Sequence, residues 1–417
     1  MSRINRTLIL TLFLVLTGQT STLWAQTPLT LQVDNRANYL AWIQAVVELF
    51  EEEHPDIDVT IWAPTGNLLE AITVSIASGT PPDVGMHDPY AIIDLARQGL
   101  LEELTPYMER SPEQFASWLP PATEMTRYNG GIYALPRDLQ VYGVFYNVDL
   151  FNASGIDTPS EDWTWADYHD HSRRLFRTDD QGRPIQWGAI LPEWRNWVIP
   201  IWAHGGDFVD SWTNPTRFVG RSEQTILGLE YMRSLVETNA VMDRVSRQRW
   251  NQEQAFMQQR TGIYMQNTIA IQSLREIADF TWDVAAMPIG PAGRVTVMNA
   301  LVWFIMSTSK YKDEAWTLLE FITSPRAQRM LVEMVGVVPP DRNILLEAWL
   351  PSVEMPRSRQ NILVGIEHAR PTIGALAKNV YDAIYQEALP IMWGDKPLLA
   401  GLENMERLVE AAIAQLN

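Results

Sequence analysis

Near the amino terminus the run "LTLQV" (Leu29 to Val33) is followed by "NYLAWIQAVVELFEEEHPDI", whose apolar positions recur at three- and four-residue spacing until His54-Pro55. The first pattern predicts a strand and the second a helix. "DVTIWA" predicts a second strand, "LLEAITVSIASG" a helix stopped by Gly79, "PPDVGMH" a third strand and "YAIIDLARQGLL" a helix closed by Gly99. Strands and helices alternating through short joins predict an α/β fold with a largely parallel sheet covered on both faces. In such sheets ligands bind beyond the carboxyl ends of the strands.

The pattern then changes. In "ALPRDLQVYGVFYNVDLF" (Ala134 to Phe151), Asp138, Gln140 and Tyr142 fall on one side of a strand and Leu139 and Val141 on the other, so the polar side needs a partner. Trp163 to Trp212 is rich in tryptophan, proline and glycine, and Gln224 to Leu274 reads as helical. "TWDVAAMPIGPAGRVTVMNALVWFIMS" reads as strands broken by a Gly-Pro-Ala-Gly turn, and the remainder is mostly helical. There is no internal repeat and no low-complexity linker, so two domains would have to be joined by several short crossings.

At 417 residues and 46% hydrophobic, the chain can build two or more domains with ample core. Residues 1–25 combine Arg3 and Arg6, an apolar run from Leu8 to Leu16 and a small residue, Ala25, the pattern of a cleaved secretory signal. The run is far short of the ~20 residues that cross a bilayer. Cysteine is absent, which removes disulfides, thiolate metal sites and a lipid-modified cysteine, and points to release into a periplasm. Net charge is -18, and losing the two leader arginines takes it to -20. So acidic a chain repels phosphate backbones and argues against nucleic acid. No Gly-rich phosphate loop, HExxH or GxSxG occurs, and "HDH" (His169 to His171) reads as a solvated helix face; no cofactor, metal or catalytic group is expected. The 17 tryptophans suit core packing and equally suit ligands that are half apolar and half hydroxyl.

In order along the chain, "FEEEHPDIDV", "SGTPPDV", "QGLLEEL", "GGIYALP", "VFYNVDLF", "WAHGGDF", "AFMQQRTGIYM", "AMPIGPAGR", "STSKYKDEAWTLLEFITSPRAQ" and "GVVPP" resemble the extracellular sugar-binding proteins of ABC importers, the maltose-binding-protein-like group. The resemblance covers nearly all of the chain after the leader. It implies a two-lobed periplasmic binding protein, type II-like, with the ligand in a cleft between α/β lobes. Crossings are expected near Leu139 to Val141, Val297 to Ala300 and Glu347 to Val353. Lobe one would comprise 27–140 plus 300–347, and lobe two 141–299 plus 348–417. A monomer is implied, capturing a sugar, oligosaccharide or polyol and passing it unaltered to the permease subunits of the inner membrane.

A sugar offers C–H faces and a rim of hydroxyls, so its site needs aromatic plates and side-chain donors and acceptors. The resemblance puts Gln140 where relatives carry a ligand-facing glutamate; the rival reading is a polar residue satisfying nearby backbone. Asp88 and Tyr90, with His87, follow the third strand, and Asp88 could instead cap the next helix. Glu193 and Trp194 match a carboxylate and an aromatic platform, Arg195 replaces a second aromatic, and Trp197 is an alternative plate; Trp202 and Trp212 lie nearby. Asn267, Asn299, Trp303 and Tyr381 are further candidates, although the glycine pair and tryptophan usual in relatives are missing from "TGIYMQNTIAI". Asp34, Asn35, Arg36 and Trp62 follow strands one and two. Two rival readings are an exported glycoside hydrolase and the same fold binding a glycerophosphodiester-type anion. The second needs clustered cations, for which Arg36 and Arg195 are the candidates.

Overall fold

A computed structural model describes residues 26–351, 355–371 and 376–416; the expected leader, residues 1–25, lies outside them, as does part of the third expected crossing. Two five-stranded sheets carry the fold. Their strands in chain order are β1 (Thr27–Gln32), β2 (Ile57–Trp62), β3 (Val84–His87), β4 (Leu135–Pro136), β5 (Gln140–Asn147), β6 (Ile263–Asn267), β7 (Trp282–Ala285), β8 (Thr296–Asn299), β9 (Val302–Ile305) and β10 (Ala369–Pro371). The first sheet runs β2-β1-β3-β9-β4 and the second β6-β5-β8-β10, with β7 also paired to β5. The helices used below are α1 (Ala37–Glu53), α2 (Leu68–Ala77), α3 (Pro89–Arg97), α4 (Trp165–Leu175), α5 (Ala270–Ile277), α6 (Pro325–Val335) and α7 (Lys378–Met392). Among the described residues no helix is long and apolar enough to cross a membrane.

The expected parallel sheet is only partly so. β1 pairs β2 and β3 in parallel, but β9 runs antiparallel to both β3 and β4. The reason is connectivity: β9 enters the first sheet directly from β8 of the second, so it arrives from the opposite end. A second departure is Ile263–Asn267, inside the stretch that reads as helical. It is a strand antiparallel to β5, because partner strands, not local spacing, complete its backbone hydrogen bonds.

The two sheets are joined where β4 leads into β5 and where β8 leads into β9. Gln140 already belongs to the second sheet, opposite Asn299, so the first crossing is Arg137 to Leu139. Its backbone is held on both sides: Arg137 N–H donates to Leu301 (2.8 Å) and Leu139 N–H to Val338 (2.7 Å). The alternation of β5 appears in three dimensions. Leu139, Val141 and Phe145 enter one apolar cluster and Tyr142, Val144 and Tyr146 another, while Asp138 and Gln140 remain at the seam between lobes. All eight β5 residues are buried, which its β-branched and aromatic content suits.

Candidate functional site

Asp34 and Asp88 follow β1 and β3 and reach the seam with the second lobe. Asp88 occupies the position that begins α3, with Pro89 as the first helical residue, but its side chain makes no cap. The carboxylate instead reaches the other lobe and accepts from Arg195 Nη1 at 2.8 Å and Asn299 Nδ2 at 3.4 Å. Asn299 Nδ2 also donates to Gln140 Oε1 (3.1 Å), and Gln140 Nε2 to Asp138 Oδ1 (3.3 Å). Arg137 donates through Nη2 to Asp138 (2.7 Å) and through Nη1 to Asp34 (2.8 Å), which also accepts from Arg36 Nη2 (2.8 Å). A continuous polar chain therefore crosses the seam from Arg36 to Arg195.

Three guanidinium groups meet three carboxylates in this chain, and the middle pair is almost wholly enclosed: the side chains of Arg137 and Asp138 are each 1% exposed. Both Arg137 and Arg36 also lie over the Tyr39 ring, at 3.9 and 4.0 Å. Burial, then the charge of Asp138, pushes the Tyr39 hydroxyl up to about 12. Asn299 Oδ1 is buried and without a protein partner, leaving an acceptor at the seam. Beside Arg195, burial raises the Tyr142 hydroxyl above its ordinary value, so it stays protonated, and Asn267 is its hydrogen-bond partner. Tyr90 carries Arg195 over its ring at 5.6 Å and meets His87 edge-on at 5.2 Å. Burial lowers the His87 pKa and keeps that ring neutral.

Beside Tyr39 a cavity of 440 Å³ opens between the lobes, lined by Tyr39 and Val335 from one and Thr268 and Gln272 from the other, with Trp349 beside them. Gly336 forms its wall in the left-handed conformation (φ 80°), ending α6 as a side chain with a Cβ could not do without strain. Thr268 is tied to the crossing through Oγ1, which donates to Leu139 O at 3.1 Å.

The structure thus brings Asp34, Asp88, Tyr90, Gln140, Asn267 and Asn299 around Arg195 and the seam. The other candidates have surroundings of their own, Trp194 and Tyr381 among them close to Arg195. Trp303 is 1% exposed in the first lobe's core, 6.5 Å from Trp42, because its position on β9 faces the helices rather than the seam. Trp197 is fully buried between Phe208 and Tyr385. The N–H groups of Trp202 and Trp212 converge on Asp207 at 3.2 and 2.7 Å. Glu193 is held by Arg247 (2.6 Å) and Trp393 Nε1 (2.7 Å) within lobe two. Tyr381 stacks on Tyr385 at 5.6 Å and 11°. Trp62 lines a separate groove with Thr65, Asn67 and Glu70. Trp194 is 62% exposed, with Arg195 5.7 Å from its ring. Of Arg137, Asp138, Tyr142 and Tyr39, the sequence named Asp138 and Tyr142 only as part of the strand's polar side, and Arg137 and Tyr39 not at all. The signal available for the first two was an opposite-charge dipeptide set in an otherwise apolar strand approach.

The Asp34 carboxyl has a pH signature. Burial pushes its pKa up, but hydrogen bonds and charge from Arg36 and Arg137 outweigh that and hold it below 3.8. The folded state therefore binds this proton more weakly than the unfolded chain. Its contribution to stability is present above 3.8 and lost as pH falls through the folded value. Melting of wild type and Asp34→Asn between about pH 5 and pH 2.5 should show a shallower acid decline in the variant; parallel declines would show that Asp34 contributes nothing.

The model of the family described as bacterial extracellular solute-binding protein matches residues 34–329. A binding protein of Brucella abortus is 25% identical over 307 residues, covering 72% of each chain. The arabinooligosaccharide-binding protein of Bacillus subtilis is 26% identical over 174 residues, 38% of this chain and 37% of that one. Among solved structures, an ABC substrate-binding protein from Listeria monocytogenes in complex with cycloalternan superposes with a TM-score of 0.79 at 20% identity, covering 93% of this chain and 99% of the other. That likeness establishes the two-lobed α/β fold. With the family model spanning well over half of its length, this chain belongs to the bacterial extracellular solute-binding proteins.

Proposed function

We propose that this protein captures an uncharged sugar, oligosaccharide or polyol between its lobes, closes about a hinge at the crossings, and hands the ligand unaltered to an ABC permease. The observation that carries the reading is the seam itself: Asp88, Asn299, Gln140 and Arg195 converge from both lobes with charges matched and the Asn299 acceptor open. Such a mixture of donors and acceptors fits hydroxyls, each of which does both. The neighbouring 440 Å³ cavity is of the size that small-molecule sites take. The names of the Bacillus subtilis relative and of the cycloalternan complex support a carbohydrate. Export through the residue 1–25 leader would place the mature chain in the periplasm, divided into lobes close to the expected 27–140 plus 300–347 and 141–299 plus 348–417, with Gln140 itself on the second lobe's sheet. A ligand that touches both lobes favours the closed form by its differential affinity, and ~5 kcal/mol moves the population from mostly open to mostly closed.

The anionic reading loses support because Arg36, Arg137 and Arg195 each face an aspartate. Thermal melting against mono- and disaccharides and polyols tests the proposal: a ligand at 100 times its dissociation constant adds about 2.7 kcal/mol. Gln140→Ala should weaken binding of that ligand by ~1–2 kcal/mol, the worth of one or two neutral hydrogen bonds, with a lowered melting temperature but a folded protein, since Gln140 is buried and bonds Asn299 and Asp138. A panel in which only phosphate esters stabilise the protein would sink the carbohydrate assignment, as would release of cleavage products.

A further inference from the structure

We infer that Asp88 sets the charge selectivity of the cleft: by neutralising Arg195 from the opposite lobe it makes the site reject anions, so removing its charge creates an anion site there. The inference rests on the proposed ligand cleft and deepens it by naming the residue that keeps the ligand class uncharged.

Arg195 and Asp88 are enclosed by the seam, with side chains 13% and 19% exposed, and their 2.8 Å contact is charge to charge. Arg195 has no second carboxylate in the hydrogen bonds of the described residues; its other neighbours are the rings of Tyr90 and Trp194, which attract a cation without cancelling it. The other two arginines of the seam's polar chain keep their own partners: Arg36 has Asp34, and Arg137 has Asp34 and Asp138. Asp88 is therefore the carboxylate whose loss leaves one enclosed guanidinium uncompensated. Its freedom to do this follows from what it does not do. Although it begins α3, it makes no cap hydrogen bond, so nothing in the helix start requires its charge. A neutral ligand meets a site without net charge, while an anion would compete with Asp88 for Arg195 and leave one carboxylate enclosed and unpaired.

Asp88→Asn keeps the shape and the acceptor of the side chain and deletes the charge. Sulfate serves as the probe, titrated calorimetrically and by melting against chloride at matched ionic strength, on wild type, Asp88→Asn and Asp88→Asn/Arg195→Gln. The variant should bind sulfate about tenfold or more tightly than wild type, the affinity that one charge-assisted hydrogen bond supplies, and the second substitution should erase the gain. In parallel, glucuronate should gain relative to glucose in Asp88→Asn. If Asp88→Asn is unfolded in chloride, refolding by sulfate supports the inference and failure to refold overturns it. Equal sulfate affinity in wild type and Asp88→Asn, or a gain that survives Arg195→Gln, also overturns it. A wild type stabilised by no uncharged sugar is a different result: it removes the proposed function and leaves the sulfate comparison readable.

Discussion

Arg137→Met should lower the unfolding free energy by about 3–5 kcal/mol, the cost of leaving enclosed charges without their partner. The guanidinium is 1% exposed and donates to two carboxylates that come from different parts of the first lobe's edge, Asp34 after β1 and Asp138 on the crossing. Asp34 would retain Arg36, but Asp138 would keep only the 3.3 Å contact with Gln140. Methionine keeps an unbranched stem of similar length while deleting the guanidinium that lies over the Tyr39 ring, so the loss reports charge, the cation–π contact included, rather than a void. Urea denaturation reads the change as a lower midpoint at unchanged slope. Adding Asp138→Leu should restore part of the loss, since a matched apolar pair in place of an enclosed ion pair is often neutral or better. A single variant as stable as wild type would mean the cluster is solvated in solution.

Trp197→Ala should cost a similar ~3–5 kcal/mol, whereas Trp194→Ala should stay within ~0.5 kcal/mol. The two rings are three residues apart and indistinguishable by composition. Trp197 is fully buried in contact with Phe208 and Tyr385 at the heart of the second lobe, and its removal leaves a cavity that rigid neighbours cannot close. Trp194 is 62% exposed and its removal uncovers little. Binding separates them the other way. Loss of ligand affinity in Trp194→Ala at unchanged stability would make that ring a sugar plate, while Trp197→Ala should act on affinity only through the fold. Equal destabilisation of both would contradict the packing described above.

Much of the seam was legible because strand ends are legible. Asp88 follows an apolar run that stops at His87, and the resemblance to a family put Gln140 and Asn299 at crossings; ends of strands in an open α/β sheet are where side chains converge. Arg195 reads as a departure from its relatives and as a candidate cation for an anionic ligand, but nothing local shows that a guanidinium 107 residues away lies beside Asp88. The choice between cap and site for Asp88 was equally out of reach, because both uses need an oxygen at the same backbone position.

The amino-acid sequence alone determined most of the periodicities: where the first strands and helices alternate, where Gly79 and Gly99 stop helices, and that a strand polar on one side must find a partner. These depend on neighbours within a few residues, where geometry is the same in any protein. Only the tertiary structure decided that β9 runs against β3, that Ile263–Asn267 is extended, which tryptophans are interior, and that Arg195 and Asp88 meet. Each of these depends on what lies across space from a residue, and burial and charge pairing are properties of that surrounding rather than of the chain's local order.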